Sequence, residues 1–287
     1  MYKQLKPYIK MKQLLPAFLI LFTLTAGAQQ HELKKLWETD TVVRTPESVL
    51  PDFKKKILYV SEIDGDGSTK DGKGGVAILG LNGKIINLDF VTGLNAPKGL
   101  GRFGNTIYIA DLTDVVEADI TTGKVIKKIP VPGSKFLNDI TVDDKGTVYI
   151  SDTRVNVVYK LQNGQVSVFL DNAKGANGLK AIGTDLYALV NPDLIKVDAS
   201  GKRTTIATLP CGGDGLEPIG NGNWLATCWN GYIFYVTAAG KVETLLDIHG
   251  GKLNTADIGY DPQKHIVYVP TFNGNRVQAF EVVPSAK

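Results

Sequence analysis

Six short segments place a different polar residue at one shared position, and several of those residues carry oxygen donors. They read Pro46-Glu47-Ser48-Val49, Pro97-Lys98-Gly99-Leu100, Leu137-Asn138-Asp139-Ile140, Ala176-Asn177-Gly178-Leu179, Gly213-Asp214-Gly215-Leu216 and Thr255-Ala256-Asp257-Ile258. Aligned on the second residue, the steps are 51, 40, 39, 37 and 42 positions. Glu, Asn and Asp are hard oxygen donors of the kind that hold Ca²⁺ or Mg²⁺. A carboxylate facing another carboxylate in a buried ring is costly unless a cation or a proton compensates it.

For residues so far apart to meet, the chain must return them to one axis. A repeat near 40 residues built of short strands does this in a propeller, where equivalent positions of all blades converge. The third repeat shows the plan. Asn138–Val142 reads as a first strand, Asp143-Asp144-Lys145-Gly146 as a turn and Thr147–Ser151 as a second strand. Val157–Leu161 follows as a third, Asn163-Gly164 as a hairpin turn and Val166–Leu170 as a fourth. Alternating apolar residues and turn chemistry support each element. Second strands recur at Ile57–Ser61, Thr106–Ala110, Asp185–Val190, Trp224–Cys228 and Ile266–Pro270. The sixth repeat ends early, with Arg276–Val283 as its third strand, so the segment near Leu33–Asp40 is expected to complete it. The expected fold is all-β: a six-bladed propeller of four-stranded blades closed by an N-terminal strand.

The ends and the composition narrow the setting. Lys3, Lys6, Lys10 and Lys12 precede an apolar run, Leu14–Thr25, and then Ala26-Gly27-Ala28. This is the order of a secretory signal peptide, with Met1 or Met11 as the start. The expected division is 1–28 signal peptide and 29–287 a single propeller domain. The apolar run is too short for a membrane anchor. Removing residues 1–28 takes four of the 32 basic residues and none of the 29 acidic ones, leaving 28 against 29, or −1. That balance suggests no nucleic-acid partner. The expectation is a secreted or periplasmic protein with no anchor after cleavage. Only Cys211 and Cys228 occur, so one bridge can form in an oxidising compartment, provided strand stagger leaves them close enough.

The motifs resemble those of the gluconolactonase/regucalcin family of six-bladed propellers. The resemblance rests on Glu47-Ser48-Val49, Asn138-Asp139, Asn177-Gly178-Leu179 and Asp214-Gly215, in order and at blade spacing. It implies that Glu47, Asn177 and Asp214 bind one divalent cation, Ca²⁺ or Mg²⁺. It also implies that Asn138 helps to bind a small-molecule substrate or a cation-bound water. The activity implied is hydrolysis of sugar lactones or similar small cyclic esters. Asp214 would then serve as both ligand and general base, and Asn138 and Lys98 would orient the substrate. The chain departs from the family in lacking the Pro that follows Glu-Ser and in placing Lys98 in the ring. Pro97-Lys98-Gly99-Leu100 also looks like the strand starts of NHL-type propellers, which are mostly binding modules, so the alternative is a non-catalytic propeller that binds a small ligand or protein.

Other features carry simpler readings. Asp139 and Asp257 sit one place after the ring position, where alternation turns them from the channel end toward turn or inter-blade bonds. Asp64–Gly72 has the look of a calcium loop but lacks the twelfth-position Glu an EF-hand needs, so it is a glycine-rich loop of the first blade. His31, His249 and His265 lack zinc-ligand spacing. Tyr59, Tyr108, Tyr149, Tyr187 and Tyr268 recur at one strand position and are read as core.

Overall fold

Short alternating runs divided by Gly, Asp and Asn turns favour antiparallel strands over helices. The computed structural model describes residues 30–285, together with Met1, Tyr2 and Gln4. The remainder of the expected signal peptide lies outside the described residues. Those residues form six four-stranded sheets and one short 3₁₀ turn, Phe272–Gly274. None of their helices is long and apolar enough to cross a membrane. In the third blade the strands are Leu137–Val142, Val148–Asp152, Val157–Gln162 and Gln165–Leu170, each within a residue of the sequence reading.

Each blade begins at the axis and runs outward, so its inner strand carries the ring residue. The sixth blade has the order Gly259–Asp261, Ile266–Pro270, Val277–Pro284 and then His31–Glu38. His31 lies opposite Pro284, and Glu38 opposite Gln278. The two ends of the chain thus share a blade, and the strand that would otherwise present an open edge has a partner. The Trp37 indole adds a tie by donating to the Leu81 carbonyl at 3.2 Å.

Six apolar clusters fill the seams between neighbouring blades. Tyr59, Val76 and Val91 of the first blade pack with Leu100, Ile107 and Ile109 of the second. Val49, Leu58 and Val60 close the circle against Tyr268, Val277 and Ala279 of the sixth. Tyr59 and Tyr268 are fully buried, and Tyr108, Tyr149 and Tyr187 flank their own seams. A buried aliphatic or aromatic side chain contributes about 1.5–3 kcal/mol, so these seams hold the ring of blades together. Cys211 and Cys228 form a disulfide in the fifth blade with a Cα–Cα distance of 6.2 Å.

Candidate functional site

The inner strands reach the axis through a shared irregularity. Pro46 pairs with Glu62 and Val49 with Val60, so the first strand holds one extra residue. The same break occurs between Pro97 and Leu100 and between Leu137 and Ile140. In the fifth blade the Asp214 amide donates to the Thr227 carbonyl at 2.7 Å, while the Thr227 amide donates to the Gly215 carbonyl at 2.9 Å. Two residues thus oppose one, which is a β-bulge, and a bulge re-aims the side chains it carries.

Side chains from the second strand hold the bulges. The Ser61 hydroxyl accepts the Ser48 amide at 2.9 Å, that of Ser151 the Asp139 amide at 2.9 Å, and that of Thr227 the Gly215 amide at 2.7 Å. The Asp111 carboxylate accepts the amides of Asn95 and Ala96, and the Asp152 carboxylate those of Lys135 and Phe136. The Ser/Thr hydroxyls thus hold the amide just after the ring residue in the first, third and fifth blades, and the Asp carboxylates hold the amides two and three places before it in the second and third.

Glu47, Lys98, Asn138, Asp214 and Ala256 are buried, and Asn177 is half-buried. The Asn177 amide nitrogen donates to Asp214 Oδ1 at 2.7 Å, joining the fourth and fifth blades. The Asn138 amide nitrogen donates to Thr153 Oγ1 at 3.0 Å. The Lys98 ammonium donates to the carbonyls of Gly67 at 3.0 Å and Ala96 at 2.9 Å, leaving its third N–H without a hydrogen-bond acceptor among the described residues. It also stands 4.2 Å from the Phe136 ring centre. Lys98 is thus a buried ring residue and not a solvated charge at the entrance.

Burial dominates the electrostatics. It raises the Asp214 carboxyl to about 7, against the Asn177 hydrogen bond that favours the anion. It lifts Glu47 well above the carboxylate range, with Asp214 adding repulsion and Lys98 partly offsetting it. Burial draws Lys98 down to about 8, against the pull of Glu47. A hard cation fits this surrounding. Glu47 Oε2 and Asn177 Oδ1 are buried acceptors with no hydrogen-bond donor among the described residues. With Asp214 they form a set of carboxylate and amide oxygens, as Ca²⁺ and Mg²⁺ prefer. Among the described residues no three His, Cys, Asp or Glu side chains converge as a ligand cluster, so any such site draws on the amides.

Asp139 and Asp257 correct the alternation argument in part. They do make inter-blade bonds: the Asp139 carboxylate accepts the Leu179 amide, and that of Asp257 accepts the Ser48 hydroxyl. Yet the bulge keeps them at the axis. Burial raises Asp139 to about 7, and burial followed by repulsion from Asp139 and Glu47 raises Asp257. Both line an axial cavity of about 200 Å³ that also contains the Lys180–Glu217 ion pair, 2.7 Å apart.

Several residues at the mouth were given no site role from the sequence, the Asp64–Gly72 segment being read only as a glycine-rich loop. The loop after Ile57–Glu62 leans over the ring, for Gly67 meets Lys98 and the Ser68 hydroxyl accepts from Arg154 at 2.8 Å. Within it Asp66 accepts the Ser68 amide and the Thr69 hydroxyl, an internal turn. Arg154 lies 4.2 Å over the Phe136 ring, on which Lys98 also stands. Exposed Trp229 meets Phe272 edge-on at 5.4 Å, and Asn254 donates to the Trp229 carbonyl at 3.0 Å. Apart from the Phe136 and Asn254 positions, just before ring residues, these lie on loops that the strand period does not register. The histidines bond elsewhere: His31 to Glu243, His249 to Asp247 and His265 to the Tyr260 hydroxyl.

No family model matches the sequence, and no curated protein matches it. Solved structures match the fold. A catalytically inactive histidine-to-alanine form of virginiamycin B lyase from Staphylococcus aureus, with quinupristin, is 14% identical over 88% of this chain and 100% of its own, with a TM-score of 0.61. A streptogramin B lyase is 10% identical over 88% of this chain and 97% of its own, at 0.63. A gluconolactonase from Xanthomonas campestris is 14% identical over 87% of each chain, at 0.61. At these identities the likeness establishes the shared six-bladed propeller, and fold alone does not name a reaction.

Proposed function

We propose that the protein is a secreted or periplasmic, divalent-cation-dependent hydrolase of sugar lactones or similar small cyclic esters. The observation that carries this reading is the pair of buried, donorless acceptors, Glu47 Oε2 and Asn177 Oδ1, next to a buried Asp214. Such atoms need a compensating positive charge or a donor. Glu47, Asn177 and Asp214 are the residues that would hold Ca²⁺ or Mg²⁺. When bound, the cation would polarise the lactone carbonyl and acidify an attacking water.

The residues supply the rest. Asn177 engages Asp214 Oδ1 and orients the carboxylate, leaving Oδ2 to take a proton from water. Burial raises the carboxyl to about 7 in the cation-free site, and a bound cation would favour its anion, the form a general base needs. Asn138, fixed through its amide nitrogen by Thr153, presents its remaining oxygen to a substrate hydroxyl. Lys98, pinned by two carbonyls, has one N–H left for a carbonyl or carboxylate of the substrate. The loop bearing Gly67 and Ser68 narrows the mouth and limits bulk water. Carboxylates, rather than histidines, are the proton carriers at this ring, which favours hydrolysis over a histidine-dependent elimination.

The test is metal analysis of the purified mature protein followed by a panel of sugar lactones with and without chelator. Chelator-sensitive lactone opening supports the reading. A protein that binds no divalent ion and opens no lactone would instead be a binding propeller of the NHL type.

A further inference from the structure

The ring position of the sixth blade is Ala256, which offers no side-chain donor. Two residues earlier stands Asn254. The equivalent places in the other blades hold Thr45, Ala96, Phe136, Gly175 and Gly212, none with a carboxamide or carboxylate. Asn254 is 8% exposed, and its Oδ1 is buried with no hydrogen-bond donor among the described residues. Its amide nitrogen donates to the Trp229 carbonyl at 3.0 Å, and only an N–H₂ can face that acceptor. The orientation of the carboxamide is therefore set, and turning it over cannot satisfy the oxygen.

The surrounding bonds place the segment that carries this residue between the strands of two members of the cation site. Thr227 accepts the Asp214 amide at 2.7 Å and donates through Oγ1 to the Ala256 carbonyl at 2.9 Å. Trp229, two residues on, holds Asn254. One strand end thus fastens both Asp214 and Asn254. On the other side, the Asp257 amide donates to the Glu47 carbonyl at 2.9 Å. The segment Asn254–Asp257 is stapled between the strands that carry Asp214 and Glu47. Among the described residues, the buried side-chain acceptors without a donor are Glu47 Oε2, Asn177 Oδ1 and Asn254 Oδ1.

We propose that Asn254 contributes its Oδ1 to the cation's shell, directly or through one bound water, as the sixth blade's substitute for the donor that Ala256 lacks. This rests on the cation site proposed above. A Ca²⁺ ion takes six to eight oxygens and accepts neutral amide oxygens beside carboxylates, so an additional neutral donor suits a site already supplied with acids.

The experiment is calorimetric titration of the metal-stripped full chain with CaCl₂ and, separately, MgCl₂, without lactone. Asn254→Ala should weaken cation binding by about 10- to 100-fold, and Asn254→Asp should bind more tightly than the wild type. If Asn254→Ala binds like the wild type while its cation-free melting temperature falls, Asn254 merely fastens a loop and the proposal is overturned, with the cation site intact. If the alanine variant does not fold, Asn254→Asp decides alone. Tighter binding supports a ligand position, and an unchanged Kd refutes one. A wild type that binds neither ion removes the cation site itself and this inference with it.

Discussion

Asp214 shows how environment and not residue type decides what a carboxyl can do. Its neighbour Asn177 favours the anion, yet burial prevails and raises it to about 7. Asp214→Ala is expected to abolish both divalent-ion binding in calorimetry and any lactone hydrolysis, while the far-ultraviolet circular dichroism stays unchanged, because the apolar cluster between the fourth and fifth blades does not include it. Stability should report the same burial through pH. Asp139 and Asp214 keep a proton in the fold up to about pH 7, whereas an unfolded Asp releases it near about 4. Between those values the folded form holds more protons. The melting temperature of the cation-free protein should therefore be highest near pH 4 as far as these groups contribute, and fall as pH rises through about 7. Added Ca²⁺ should restore stability most at the alkaline end, where protons no longer compete for the carboxylates. A melting temperature flat from pH 4 to 8 without cation would contradict the shared burial of these acids.

At the scale of the strand, the bulges bring neighbouring blades close enough that side-chain size matters one position past the ring. A Cβ on Gly99 would come within 2.5 Å of the Asp139 backbone, and one on Gly215 within 2.6 Å of the Ile258 amide. Glycine therefore stands where the next blade places an Asp. Gly99→Ala should destabilise the protein by about 1–3 kcal/mol, as overpacking does, and chemical denaturation reads the change directly. An equally stable variant would mean that the two strands separate at no cost. The disulfide acts on the same scale. Cys211 lies three residues before Asp214, and the bridge closes a separation of 17 residues. Replacing both cysteines by Ser should cost about 3 kcal/mol from loop entropy, measured by the same denaturation. Alkylation of the native protein without reductant should leave its mass unchanged.

For the whole molecule, closure depends on one strand borrowed from the other end of the chain. His31–Glu38 covers Val277–Pro284, and His31 also stacks on Tyr235 at 3.9 Å, reaching from the sixth blade to the fifth. Deleting residues 30–40 should leave an open edge, which pairs readily with other chains. The expected result is soluble aggregate in size-exclusion chromatography, where the intact protein gives a single species. A truncated chain that elutes like the intact one would show that the circle of blade seams suffices.

Blade number, strand order and ring residues were legible in the sequence because they follow from local rules. Period-two alternation and turn chemistry mark the strands, and a repeat near 40 residues sets the register in which Glu47, Asn177 and Asp214 meet although 167 positions separate the first and last. The N-terminal strand was legible from the shortness of the sixth repeat. Its pairing runs His31–Glu38 and not Leu33–Asp40, because neither end carries a strong turn signal to set the register. Alternation anticipated the inter-blade bonds of Asp139 and Asp257 but not their place at the axis, since a bulge adds a residue without changing the composition that periodicity reads. The Asp64–Gly72 loop was legible as a glycine-rich loop, but its lean over the ring to Lys98 and Arg154, the place of Trp229 and the orphaned oxygen of Asn254 had no sequence signal. Sequence pattern records which face of its own strand a residue occupies. Which blade a loop crosses to, how deeply a carboxylate is buried and which acceptor lacks a donor are properties of six blades packed together, and only the tertiary structure decides them.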